Sequence, residues 1–248
     1  MIIEFLNLTF FLLILFIILS ILLLYFLLRN KSEKIRKNVI IGISIFNIIF
    51  FIIYKYWLSK DPEFLTINNY DFFNLWSELP LQLCNISMFL IPLGLIFKKD
   101  ALLSYGYFIT PLGAFMAICF PESAFTGFDI FIPRNLGFYG THVLLFISGI
   151  SLVTLKLFKP SYKKIVTPTI TLLALAFIMF LVNTVLRNTV SPEANYFYTY
   201  ETNIPILSTF YKWLPVPFLY EIFTVLILVP YTLLMVMLYK LLSKRNQH

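Results

Sequence analysis

Long apolar runs separated by short charged segments dominate this chain. A bilayer core needs roughly 20 apolar residues per helix, and seven stretches meet that requirement: Phe5–Leu28, Val39–Leu58, Leu79–Phe97, Ala101–Phe120, Phe138–Leu157, Ile165–Leu186 and Pro215–Tyr239. The pattern predicts an all-α fold, a polytopic membrane helix bundle of about seven transmembrane helices forming one transmembrane domain over residues 1–248. The first run is preceded by Glu4 and no basic residue, and Arg29 follows it. Its apolar core is about twice the length of a signal-peptide core, so it reads as a retained spanning helix.

Charge turns this pattern into an orientation. The segments after the first, third and fifth runs, with the tail, hold 14 of the 19 basic residues, from Arg29, Lys31, Lys34, Arg36 and Lys37 to Lys240, Lys244 and Arg245. Only Glu33 and Asp100 accompany them. Basic residues collect on the cytosolic side, which predicts an N-terminus outside and a C-terminus in the cytosol of a cell membrane. The net charge of +7 is thus a topology signal and not a nucleic-acid footprint. Composition agrees: 60% hydrophobic and 12% charged residues leave too little polar surface for a water-soluble globule.

The connections predicted outside are the longer ones, and they carry aromatic stretches such as Tyr70-Asp71-Phe72-Phe73 and Asn195-Tyr196-Phe197-Tyr198. Trp57, Trp76 and Trp213 fall near the outer ends, where amphipathic rings sit at headgroup level. Long ordered loops in compact proteins tend to carry function, so the outer half is the place to look for a site.

Polar groups at membrane depth are costly and are functional candidates by default. Gln82, Cys84 and Asn85 lie about five residues below the outer end of the third helix, and His142 lies as far below that of the fifth. At 1.5 Å per residue both are roughly 8 Å deep. Asn183 and Glu221 fall in the same layer. Plainer roles compete. A buried Cys commonly behaves as a small hydrophobe. Cys84 and Cys119 share the oxidising side and have a disulfide as their minority alternative. Glu221 has Arg187 or Lys212 as possible ion partners. On an ideal helix Glu78, Gln82 and Asn85 share a face, with Cys84 pointing roughly 100° away from Asn85. His142 and the terminal His248 are the two histidines; no metal-binding, phosphate-loop or serine-elbow motif is present. The expectation is no metal and no cofactor.

Leu79-Pro80-Leu81-Gln82-Leu83-Cys84, His142 in a later helix, Asn195-Tyr196, Pro205 and Leu214-Pro215-Val216-Pro217 resemble motifs of the YwaF-like family of bacterial integral membrane proteins. The resemblance covers most of the chain from Trp76 onward. It departs at Pro215-Val216-Pro217, where that family has a tryptophan between the prolines. The family is distantly similar to eukaryotic multi-pass acyltransferases that move acyl chains between phospholipids through a Cys and a His. The resemblance implies Cys84 as nucleophile and His142 as general base. Gln82, Asn85, Asn195, Tyr196 and Glu221 would line the substrate, and membrane lipid would be the partner. A transporter or small-solute binding protein using the same polar layer is the alternative, and an assembly partner without chemistry the third. Catalysis requires a free thiol at Cys84; transport tolerates its loss.

Overall fold

The structure is a computed structural model and describes residues 1–68 and 71–245. Tyr70 of the first aromatic loop and His248 lie outside the described residues. The protein is all-helical, and the chain forms two compact units: residues 1–74 with 84–158, and residues 75–83 with 159–248.

The first unit contains α1 (Leu8–Leu28), α2 (Glu33–Leu58), α3 (Pro62–Ile67), α4 (Leu83–Phe97), α5 (Asp100–Cys119) and α6 (Pro133–Thr154). Local chemistry sets the helix starts. Asn7 accepts the Phe10 N–H at 2.8 Å, and Asp61 accepts those of Glu63 and Phe64 at 3.0 and 3.1 Å, with Pro62 pre-set for the first turn of α3. Helix α6 is the hub, packed by α5, α2 and α1. Glycine permits the close approach. A Cβ on Gly137 would sit 2.0 Å from Cδ2 of Tyr54, and one on Gly149 would sit 2.7 Å from the Gly106 carbonyl oxygen. Small residues at such crossings let membrane helices touch along their backbones. By contrast α1 keeps most of its apolar side chains exposed, as a lipid-facing helix requires.

Arg134, in the first turn of α6, has a side chain fully withdrawn from solvent. Its guanidinium lies 3.2 Å from the Asp61 carboxylate, 3.0 Å from that of Glu63, and 4.2 Å from the centre of the Phe128 ring. The loop before α6 closes onto the start of the chain: Ile130 N–H donates to the Met1 carbonyl at 2.7 Å. A hydrogen bond from the Met1 amine, joined by the Phe131 N–H, holds the Asp129 carboxyl below the usual carboxylate range.

The second unit contains α7 (Thr167–Thr189), α8 (Pro205–Trp213) and α9 (Val225–Arg245), with 3₁₀ turns at Tyr196–Tyr198 and Leu219–Thr224. The turn at Leu219–Thr224 packs against α8, α9 and α7. Thr232 of α9 donates to the Ile165 carbonyl at 3.0 Å.

Six helices among the described residues are long and apolar enough to cross a membrane; α4 is a shorter apolar helix. All seven expected stretches therefore contain helix; four begin later than expected, the first at Leu8 and the sixth at Thr167 by a few residues, the third and the last for reasons visible in the fold. The third was expected from Leu79, yet residues 75–82 form turns and α4 starts at Leu83. Tertiary bonds override the apolar pattern there, since Leu79 N–H donates to the Tyr196 hydroxyl at 3.0 Å. The shared helical face expected for Glu78, Gln82 and Asn85 does not form, because the first two residues precede the helix. The last run was expected from Pro215, and its α-helix starts at Val225 after the 3₁₀ turn.

Candidate functional site

The expected polar layer is divided between the two units. Cys84, Asn85 and His142 belong to the first; Gln82, Asn183, Asn195, Tyr196 and Glu221 belong to the second.

In the first unit His142 is buried in the middle of α6. Its Nδ1 lies 2.7 Å from the carbonyl oxygen of Phe138 one turn back. A carbonyl only accepts, so Nδ1 carries the proton and Nε2 keeps the ring's free lone pair. The imidazole lies 4.5 Å from the Phe138 ring, which stacks on Phe125 at 4.2 Å with a 15° tilt. Phe138 packs against a core of Phe51, Tyr54, Met88, Ala114, Phe125 and Leu145, and Cys84 packs against the same core. The nucleophile and base expected from sequence thus border one aromatic cluster. Cys84 is a free, half-buried thiol, and Cys119 is free and buried in a separate cluster with Ile3, Phe10 and Tyr139. Asn85 is half-buried on the first turn of α4.

Three residues near either Cys84 or His142 were not singled out in the sequence. Lys55 of α2 is close enough to act electrostatically on His142, and its ammonium lies 5.3 and 5.1 Å from the ring centres of Phe51 and Tyr54. Tyr105 of α5, fully buried, hydrogen-bonds Ser87 and lies near Cys84. Asn47 of α2 donates to the Thr141 carbonyl at 3.3 Å while its own Oδ1 is buried with no partner among the described residues. The signal for Asn47 was available: an amide inside an apolar run meets the same intramembrane criterion that singled out His142.

In the second unit the expected polar residues mostly hold the loop between α7 and α8. Asn183 donates to the Tyr196 carbonyl at 2.8 Å and to the Thr199 hydroxyl at 2.9 Å, and accepts the Tyr196 N–H at 2.9 Å. The Tyr196 hydroxyl donates to the Trp76 carbonyl at 2.5 Å. Gln82 Oε1 accepts the Phe197 N–H at 3.2 Å. Asn195 accepts the Tyr200 N–H at 2.9 Å and donates to the Glu201 carbonyl at 3.0 Å. Tyr220 is fully buried; its hydroxyl donates to the carbonyls of Tyr198 and Tyr200. This network holds Phe197 and Tyr198 in left-handed backbone, φ 57° and 59°, a conformation that costs a bulky residue about 1–2 kcal/mol. Glu221 differs from the rest. It is 4% exposed, and its Oε1 has no hydrogen-bond partner among the described residues.

No group of three or more His, Cys, Asp or Glu among the described residues is arranged to hold a metal ion. Neither the curated proteins nor the solved structures contain a match to this chain. The family model of the TMEM164 family matches residues 4–239. Nearly the whole multi-pass chain is covered, and the protein belongs to the TMEM164 family.

Proposed function

We propose that this protein is a lipid-directed acyltransferase or acyl-hydrolase of the cell membrane, with Cys84 as nucleophile and His142 as general base. The observation that carries the proposal is the Phe138 carbonyl on Nδ1 of His142, which reserves Nε2 as a proton acceptor beside the aromatic cluster that Cys84 also borders. The Cys84 thiol gives its proton to Nε2, and the thiolate attacks the carbonyl carbon of a lipid ester. The C–O bond then breaks, and the departing lysolipid alkoxide takes the proton from His142. The acyl-thioester passes its acyl group to an acceptor hydroxyl, or to water in hydrolysis, and regenerates the thiol. Asn85 is the amide left on the Cys84 side to polarise the carbonyl oxygen; the Gln82 oxygen already accepts a backbone N–H.

Orientation belongs to this proposal: an outer site, the N-terminus outside and the C-terminus cytosolic, as the basic segments imply. Cysteines introduced at Ser32 and Ser243 will resist an impermeant maleimide in intact cells, and one at Thr66 will react.

Transport or small-solute binding is the second reading, favoured by the buried carboxylate oxygen of Glu221 that has no partner among the described residues. Labelled phospholipid in proteoliposomes separates the two by following released fatty acid and newly acylated lysolipid. The acyl-transfer reading expects turnover by the wild type and none by Cys84→Ala. Lipid turnover absent from the wild type, with solute uptake that survives Cys84→Ala, would favour transport.

A further inference from the structure

Apart from the Cys84–His142 region, the first unit has a cavity of about 270 Å³ lined by Tyr25, Arg29, Asn30, Arg36, Thr154 and Lys156. A water takes about 30 Å³ of liquid volume, so the space suits a small polar group. Three cations face it from three places: the end of α1, the first turns of α2 and the turn after α6. Among the described residues no carboxylate lines it.

Cations at the C-terminal ends of α1 and α6 have an ordinary explanation in the helix dipole, which covers Arg29 and Lys156. It does not cover Arg36. That side chain is anchored by its Nη1 donating to the Leu155 carbonyl at 2.7 Å. Its Nε is buried with no partner among the described residues, and so is the Thr154 hydroxyl oxygen. Buried donors without acceptors are costly, and here two of them belong to residues that line a cationic cavity. The cavity lies at the C-terminal ends of the apolar helices α1 and α6 and the start of α2, and the ends of spanning helices are where lipid headgroups sit.

We infer that this cavity binds the phosphate of a net anionic ligand, either a lipid headgroup or the free anion. In the free protein Nε of Arg36 and the Thr154 hydroxyl are closed to the cavity, so binding shifts Arg36 to open Nε with a second nitrogen as a fork suited to phosphate oxygens. Thr154 donates its hydroxyl to a third oxygen, and Arg29 and Lys156 neutralise the remaining charge.

The test uses delipidated full-length protein in nonionic detergent, titrated with phosphatidylglycerol, phosphatidylcholine or inorganic phosphate and followed by thermal unfolding. Phosphatidylglycerol will raise the unfolding temperature saturably, and phosphatidylcholine will not. Arg29→Gln/Lys156→Gln, which leaves the Arg36 anchor intact, will weaken the response by roughly tenfold or more. Arg36→Lys, which keeps the charge but lacks the fork, will weaken it too. Lys98→Gln/Lys99→Gln removes the same charge elsewhere on the basic side and will leave it unchanged. A saturable response to inorganic phosphate with the same variant pattern assigns the site to the free anion; a response to phosphatidylglycerol alone assigns it to a headgroup. Equal responses to both lipids, or equal weakening by the Lys98/Lys99 variant, would reduce the cavity to diffuse surface charge and overturn the inference.

Discussion

Asn183 grips the peptide of Tyr196 from both sides, donating to its carbonyl at 2.8 Å and accepting its N–H at 2.9 Å. Both residues are buried, so no water can replace these bonds readily. Asn183→Leu keeps the volume and strands two buried backbone groups and the Thr199 hydroxyl. A loss of about 3 kcal/mol is expected, read as a lowered unfolding midpoint in detergent. Asn195→Ala is expected to cost only about 1 kcal/mol, because one of its two bonds is exposed and the other only part-buried. Equal costs for the two variants would contradict the anchoring role of Asn183.

The crossings at α6 give a second contrast. Gly149→Ala places a Cβ against the Gly106 carbonyl and the Pro111 ring, neither of which can rotate away. Overpacking of this kind costs about 1–3 kcal/mol. Gly42 lies in α2 with nothing within 4 Å of its ideal Cβ, so Gly42→Ala will be neutral or stabilising by about 0.5–1 kcal/mol through helix propensity. Thermal unfolding of the two variants side by side checks the difference.

Arg134 predicts an asymmetry within one ion cluster. Its side chain is fully buried, whereas that of Glu63 is 56% exposed. Arg134→Ala removes the partner of two carboxylates and the cation over Phe128, at a cost of about 2–3 kcal/mol; this is below the full cost of a broken buried pair because both acids reach water. Glu63→Gln is expected to cost less than about 1 kcal/mol. A larger loss from Glu63→Gln than from Arg134→Ala would show that the charge balance has been misread.

The spans were legible in the sequence for a physical reason. A helix such as α1, exposed to lipid along most of its length, must be apolar nearly throughout, and that leaves an unbroken run. The start of α4 was not legible, because residues 75–82 are held by Tyr196 and Phe197, more than 110 positions away. The roles of Gln82 and Asn195 were hidden for a related reason: an amide that holds a loop and an amide that holds a ligand look alike in sequence. The burial of Arg134 has no local signal in the sequence, since its partner Glu63 lies 71 positions earlier. His142 and Cys84 stand out in the sequence as polar groups in apolar runs, whereas the packing of Cys84 and Phe138 on one core, and of His142 on Phe138, belongs to the folded chain.

The central claim is covalent, and trapping the intermediate tests it most directly. Purified protein is incubated with phospholipid carrying a labelled acyl chain and no acceptor, quenched in acid, digested and analysed by mass spectrometry. The account predicts one acyl group on the Cys84 peptide, released by neutral hydroxylamine as a thioester must be. It also predicts that His142→Gln forms this adduct slower by two to four orders of magnitude, roughly 3–5 kcal/mol in the barrier. Cys119→Ala will label normally. An unmodified Cys84 in protein that is turning over lipid, or full turnover by Cys84→Ala, would contradict the account.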